Sequence, residues 1–456
     1  MDIFKKTITS LVTLPLTQNI ALIRISGPKT YQIIKKIFSG NIERKQFEKN
    51  KIVYGKIVDS KKDLVDQVLL FCFFAPNSFT GEDLVEISCH GNLLIVNQIL
   101  SLILKNGAEM AKEGEFTKQA FFNGKLNLIQ ANSINDIIRS SSIKGAKMAL
   151  HNLSSESKKE FNYIENKILE IIANIKVNID YPEYDGVEYL TGDKVLKEVW
   201  EILKKLRVIR DFGKKSRIYQ EGIKIAIIGK PNVGKSTLLN ALSNEEKAIV
   251  SPIAGTTRDV VENRCNLNGI PILLLDTAGI HKTNDLVENI GIKRSYLAIK
   301  NADLILFLVD NSRKWDDDDE KIFKIIKKKY LFVINKADKK NQLIIPNFIK
   351  KERILKINAK GREIEELENK INELFLSNFS GDLSTYPYLS QSWQQSKISQ
   401  LIEKIKEVMT SLRKKNYLDA ICGDLEIAYK KIKELEGKNY NDELLDIIFS
   451  KFCLGK

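Results

Sequence analysis

The chain has 456 residues, with 72 Lys and Arg against 58 Asp and Glu, for a formal net charge of +14. That length holds two or three domains with proper cores, and the basic excess fits either a polyanionic partner such as RNA or a Lys-rich solvated surface. Five cysteines without a C-x-x-C pair (Cys72, Cys89, Cys265, Cys422, Cys453) and three scattered histidines support neither a disulfide framework nor a zinc site. With no signal-peptide pattern and no apolar run near about 18 residues, a soluble cytoplasmic protein without a membrane span is expected.

Residues 1–122 alternate short apolar runs with turn signals. Ile20 to Ile25 ends at Ser26-Gly27-Pro28, and Val68 to Phe74 ends at Pro76-Asn77, as strands of an α+β domain do. Residues 134–215 lack Gly- and Pro-rich interruptions except around Tyr181-Pro182 and Asp185-Gly186. There Phe161, Ile164, Ile168, Ile171 and Ile175 recur at helical spacing. The pattern returns after residue 379, with Ile398, Leu401, Ile405, Val408 and Leu412. Two helical stretches around a compact unit allow either one domain split by an insertion or two separate bundles.

The compact unit declares its chemistry. Gly229-Lys230-Pro231-Asn232-Val233-Gly234-Lys235-Ser236 fits G-x-x-x-x-G-K-[ST]. Its glycines let backbone N–H groups curl around phosphate oxygens. Lys235 then reaches the β/γ-phosphates and Ser236 binds Mg²⁺. The motif follows the buried-strand run 223–228 and opens a helix at Thr237 whose N-terminus favours anions. Asp276-Thr277-Ala278-Gly279 follows a second strand, 270–275; Asp276 can hold Mg²⁺ through water and Gly279 can donate to a γ-phosphate. Asn335-Lys336-Ala337-Asp338 ends a third strand. Its carboxylate suits the paired N–H donors of guanine, which adenine lacks. Asn358-Ala359-Lys360 completes the base pocket. These motifs in this order specify a GTPase. Between them, Gly255-Thr256-Thr257-Arg258-Asp259 occupies the switch position, with Thr257 the second Mg²⁺ hydroxyl. Arg258 is either a cis arginine finger or an ion-pair partner of Asp259. Ile280 stands where Ras-like enzymes place a water-orienting Gln, so the water must be positioned from elsewhere.

The assembled motifs resemble the tRNA-modification GTPase MnmE (TrmE) family over nearly the whole chain. The resemblance rests on Arg24-Ile25-Ser26-Gly27-Pro28, on residues 76–83 (Pro-Asn-Ser-Phe-Thr-Gly-Glu-Asp), and on Gly114-Glu115-Phe116-Thr117. It continues through Asn123-Gly124-Lys125-Leu126, residues 179–183 and 255–259, and the tail Phe452-Cys453-Leu454-Gly455-Lys456. Departures are Cys89 to Asn92 in place of a Gly-rich stretch, Glu109 and Glu113 for Arg and Pro, and His281 at a switch position often held by Arg.

The resemblance implies a multidomain α/β plus α fold. An N-terminal α+β folate-binding and dimerisation domain (1–122) is followed by a helical domain (123–221 and 380–456), which an inserted Ras-like GTPase domain of mostly parallel sheet (222–379) interrupts. It implies a homodimer that acts with an FAD-bearing flavoprotein of the MnmG type on tRNA. The pair would place an aminomethyl or carboxymethylaminomethyl group on C5 of the wobble uridine (position 34). A reduced folate, 5,10-methylene- or 5-formyl-tetrahydrofolate, would supply the one-carbon unit.

Family correspondence assigns folate contacts to Arg24, Glu86, Lys125 and Lys456, and water orientation to Glu288. It assigns K⁺ to Asn232, Ser251, Ile253 and Thr256. The GTP pocket would comprise Asn232 to Thr237, Ser251, Thr256, Thr257, Asp276 to Gly279, Asn335, Lys336, Asp338 and Asn358 to Lys360, with Mg²⁺ on Ser236 and Thr257. Lys235, Thr256, Glu288 and Cys453 are the candidate catalytic residues. Cys453 either acts in one-carbon transfer or fixes Lys456. Two other functions fit parts of the chain: an Era-like ribosome-assembly GTPase and a stand-alone folate-dependent one-carbon transferase.

Overall fold

Strand runs with one apolar face and strand runs apolar throughout demand different sheets, and the chain builds one of each. The computed structural model describes residues 6–40, 42, 52–180, 192–243, 262–267, 269–275, 299–376, 386–415, 417–438, 442–452 and 455. They form two compact units. One comprises residues 1–135, 152–206 and 396–456; the other, 136–151 and 207–395, interrupts it in sequence.

The first unit holds β1 (Ile8–Leu11), β2 (Ile20–Ser26), α1 (Thr30–Ile37), β3 (Phe38–Ser39), β4 (Ile52–Val58), β5 (Leu64–Phe73), β6 (Leu84–His90), α2 (Leu93–Lys105), β7 (Glu109–Met110) and α3 (Glu115–Phe122). Its sheet runs β3-β4-β5-β6-β2-β1-β7, antiparallel except where β7 joins β1. β5 alternates in burial, as expected of a strand with one wet face. Ile33, Ile34 and Ile37 of α1 and Val96, Ile99 and Ile103 of α2 close over Ile23, Ile25, Leu70 and Ile87. The apolar run 93–104 is therefore an amphipathic helix, capped by Asn92, whose Oδ1 accepts from Leu94 N at 2.8 Å.

Long helices follow: α4 (Leu128–Arg139), α5 (Ile143–Leu153), α6 (Ser155–Asp180) and α7 (Gly192–Glu221). The α6 stripe from Phe161 to Ile175 is buried. Of the helices after the insertion, α11 (Ser392–Arg413), α12 (Leu418–Glu436) and α13 (Asp442–Phe449), α12 packs on α6. Lys433 and Lys438 each pair with Glu165 at 2.7 Å, and Lys176 with Glu426 at 2.7 Å. Helical stretches from both sides of the insertion thus share one unit. Among the described residues, no helix is long and apolar enough to cross a membrane.

The second unit is built on β8 (Ile223–Ile228), α8 (Lys235–Leu242), β9 (Glu262–Leu267), β10 (Ile270–Leu275), β11 (Leu304–Asp310), α9 (Asp317–Lys324), β12 (Tyr330–Asn335), β13 (Ile354–Lys356) and α10 (Glu365–Leu376). The sheet order is β13-β12-β11-β8-β10-β9, parallel except for the β10–β9 pair. β11 is buried along its whole length, as a central parallel strand covered on both faces must be. The C-terminal strand ends deliver Gly229, Asp310, Asn335 and Asn358 to one edge, where parallel sheets bind ligands.

Beneath the same unit, buried Asp136 of α4 accepts from Ser390 Oγ (2.7 Å), Tyr388 Oη (3.1 Å) and Gln391 Nε2 (3.2 Å). Burial pushes its carboxyl above the usual range, against the opposing pull of those donors. Gln220, just before β8, donates to Tyr388 Oη at 3.0 Å. Chain entering and chain leaving the sheet are tied to the same side chains.

Candidate functional site

The phosphate loop lies between β8 and α8, and its glycines answer to specific neighbours. A Cβ on Gly229 would meet Leu308 O at 2.2 Å, and one on Gly234 would meet Asn335 Nδ2 at 2.2 Å. Gly234, at φ 100°, is the N-cap of α8. Asn232 also takes the left-handed conformation, at φ 64°. The loop closes on itself through Lys235, whose Nζ donates to Gly229 O (2.8 Å) and Lys230 O (2.7 Å). Burial lowers the Lys235 pKa. Those two carbonyls hold the ammonium over the loop.

The guanine motif braces this loop. Asn335 Nδ2 donates to Val233 O at 2.8 Å, while its Oδ1 accepts from Ala359 N at 3.0 Å. Lys336 Nζ donates to Asn232 O at 2.9 Å and to Asp310 Oδ2 at 2.5 Å. Asn358 closes its own turn, with Oδ1 accepting from Gly361 N at 3.1 Å. Asp338 and Lys360 are exposed at the mouth, as are Ser236 and Thr237 at the start of α8. The residues read from the phosphate-loop, Asn335 and Asn358 motifs therefore converge. Ser251, Ile253, Thr256, Thr257, Arg258, Asp259, Asp276 to His281 and Glu288 lie outside the described residues.

A second cluster stands in the first unit. Arg24 and Glu86 are cross-strand partners on β2 and β6. Arg24 Nε and Nη2 donate to Glu86 Oε1 at 2.8 and 2.6 Å, and Nη1 donates to Gly455 O at 2.9 Å. The guanidinium also lies 5.5 Å from the ring centroids of Phe79 and Phe116. Among the described residues these bonds engage Nε, Nη1 and Nη2 once each, of about five guanidinium N–H donors.

Lys125 stands apart from that pair, with Nζ donating to Pro76 O at 2.9 Å. The 76–81 loop connects the two: Asn123 Nδ2 donates to Thr80 O at 2.7 Å, and Thr80 Oγ1 meets Ser26 Oγ, two residues from Arg24, at 2.7 Å. Burial raises the Glu82 carboxyl above its usual range, opposed by Ser26 and Asn123. Lys456 and Cys453 lie outside the described residues. Phe79, Phe116, Ser26 and Asp310 were not singled out from sequence. The two Phe residues sit inside quoted motifs, but nothing local reveals that both rings would face one arginine.

Comparison with known proteins spans both units. The MnmE helical domain family matches residues 128–453, and the family described as GTP-binding protein TrmE N-terminus matches residues 7–125. A tRNA modification GTPase MnmE from Acetivibrio thermocellus is 40% identical over 445 residues, 96% of each chain. One from Mycoplasma mycoides subsp. mycoides SC is 39% identical over 442 residues, 96% of this chain and 97% of that one. One from Staphylococcus haemolyticus is 38% identical over 460 residues, 99% of each. Matched end to end at such identity, the chain belongs to the tRNA modification GTPase MnmE family.

Proposed function

We propose that the chain hydrolyses GTP to drive modification of tRNA at C5 of the wobble uridine, acting as a homodimer with an MnmG-type flavoprotein and a reduced folate. The observation that carries this reading is the Arg24–Glu86–Gly455 junction, with Phe79 and Phe116 against the guanidinium. GTP hydrolysis alone gives such a junction, built in the other unit, no role. Its chemistry suits a folate: Glu86, held by Arg24, accepts from pterin N–H groups, and Lys125, which stands apart from that pair, offers N–H donors to glutamate carboxylates. Lys456 completes the set by family correspondence, with Cys453 fixing it.

In the GTPase unit, Lys235 binds the β/γ-phosphates, Asp338 accepts the guanine donors, and Glu288 orients the attacking water. Ser236 and Thr257 would hold Mg²⁺, whose charge neutralises the phosphate oxygens. The exposed Ser236 hydroxyl at the start of α8 fits that role. Asn232, Ser251, Ile253 and Thr256 would hold K⁺. With its backbone carbonyl bonded to Lys336, Asn232 would offer its side-chain oxygen. Nucleoside analysis of tRNA from cells lacking this chain tests the function. Loss of the C5-modified wobble uridine is expected, and an unchanged nucleoside profile would overturn it.

A further inference from the structure

We propose that Asp310, which lies outside every nucleotide-binding motif of the chain, positions Lys336 and through it fixes Asn232 in the phosphate loop. Asp310 ends β11 in register with Asn335, so the strand pairing itself sets it beside the guanine motif. It is 7% exposed. A carboxylate buried to that degree needs a cation and further donors, and it has both. Lys336 Nζ lies 2.5 Å from Oδ2, and Oδ1 accepts from Ser312 N at 2.8 Å and Ser312 Oγ at 2.7 Å. Burial raises the carboxyl pKa, but those bonds outweigh it and hold it below the usual range, so the charge persists.

The consequence runs through Lys336. Its ammonium has about three donors on a flexible four-carbon stem. Asp310 takes one bond and Asn232 O another, at 2.9 Å. Lys336 and Asn232 are both non-glycine residues in the left-handed region, at φ 61° and 64°. At Asn232 the loop conformation is therefore held from outside by an ammonium that one carboxylate aims, beside the separate brace from Asn335 to Val233. Without the Asp310 charge, Lys336 is better solvated in water than across the loop, and Asn232 loses its tie. A plain β11–β12 ion pair would instead affect folding and leave nucleotide affinity alone. The inference rests on reading this loop as the GTP site. Failure of the wild-type chain to bind GTP would sink that reading separately.

The test is a double-mutant cycle on the full chain with Asp310→Asn, Lys336→Met and both, measuring the Kd of a fluorescent GTP analogue together with KM, kcat and melting temperature. Asp310→Asn should weaken binding and raise KM about tenfold, the scale of one charge-assisted contact. The double variant should match Lys336→Met to within about twofold, since Asp310 acts only through that lysine. Wild-type affinity in Asp310→Asn, or a double variant that multiplies the two single losses, would overturn the proposal. Should Asp310→Asn not fold, Ser312→Ala removes one bond to the carboxylate and should weaken binding about two- to threefold. Unchanged affinity in that variant would overturn the proposal equally.

Discussion

Replacing Arg24 by Gln tests the first unit's site most sharply, because its side chain is 10% exposed and that of its partner Glu86 is 18% exposed. The substitution removes the bonds at 2.8 and 2.6 Å to Glu86 and the bond at 2.9 Å to Gly455. Breaking a largely buried pair by deleting one partner costs about 3–5 kcal/mol, since the remaining charge stays desolvated. A Gln amide restores about 1 kcal/mol by one neutral hydrogen bond, leaving a net loss of about 2–4 kcal/mol. A chain of two compact units has no single unfolding free energy, so the assay is amide hydrogen exchange by segment. Protection of β2 and β6 should fall roughly thirty- to several-hundredfold, with β8 and β12 unchanged. The double variant Arg24→Gln/Glu86→Gln, which leaves no orphan charge, should recover most of the loss. Unchanged β2 and β6 protection, or an equal fall in β8 and β12, would refute the reasoning. In calorimetry with 5-formyltetrahydrofolate, affinity of Arg24→Gln should drop roughly ten- to a hundredfold, and an unchanged value would remove Arg24 from the proposed folate site.

Asp338→Asn turns an acceptor of guanine donors into a group with its own donor, so GTP affinity should fall more than about tenfold while xanthosine triphosphate affinity rises; unaltered base preference would exclude Asp338 from base recognition. GTP hydrolysis should be markedly faster in K⁺ than in Na⁺ buffer and should lose kcat in Glu288→Ala, whereas equal rates in the two buffers would exclude the potassium site. Burial holds the Cys72 thiol at about 12 and that of Cys89 at about 11, against an ordinary 9.0. Both raised values mean that the folded state binds these protons more tightly. Their contribution to stability is full below pH 9 and is lost as pH rises to about 11–12. Chemical denaturation at pH 8, 10 and 11 should show a steeper loss in the wild type than in a Cys72→Ala/Cys89→Ala variant, and parallel curves would contradict this.

What sequence revealed and what it hid divide along one physical line. The β8 run, the phosphate loop and the α6 stripe carry their signals within a few residues, through turn geometry or helical periodicity, and each stands where the pattern puts it. The Arg24 to Gly455 bond spans 431 residues, and the Lys336 to Asn232 bond spans 104. No local pattern encodes either. Asp310 illustrates the limit: in sequence it is the polar end of an apolar strand, and only the parallel pairing of β11 with β12 gives it a lysine to aim. Whether α6 and α11 share a unit was open for the same reason, since two amphipathic stripes show that each helix needs a partner without naming it.

The central claim is that GTP turnover by this chain is required for tRNA modification. The most direct measurement is nucleoside mass spectrometry of total tRNA from cells whose only copy carries Lys235→Ala, with protein abundance matched to wild type. The account predicts loss of the C5-modified wobble uridine while the variant protein accumulates normally. Wild-type levels of that nucleoside, in cells whose variant protein shows no GTP hydrolysis, would contradict it.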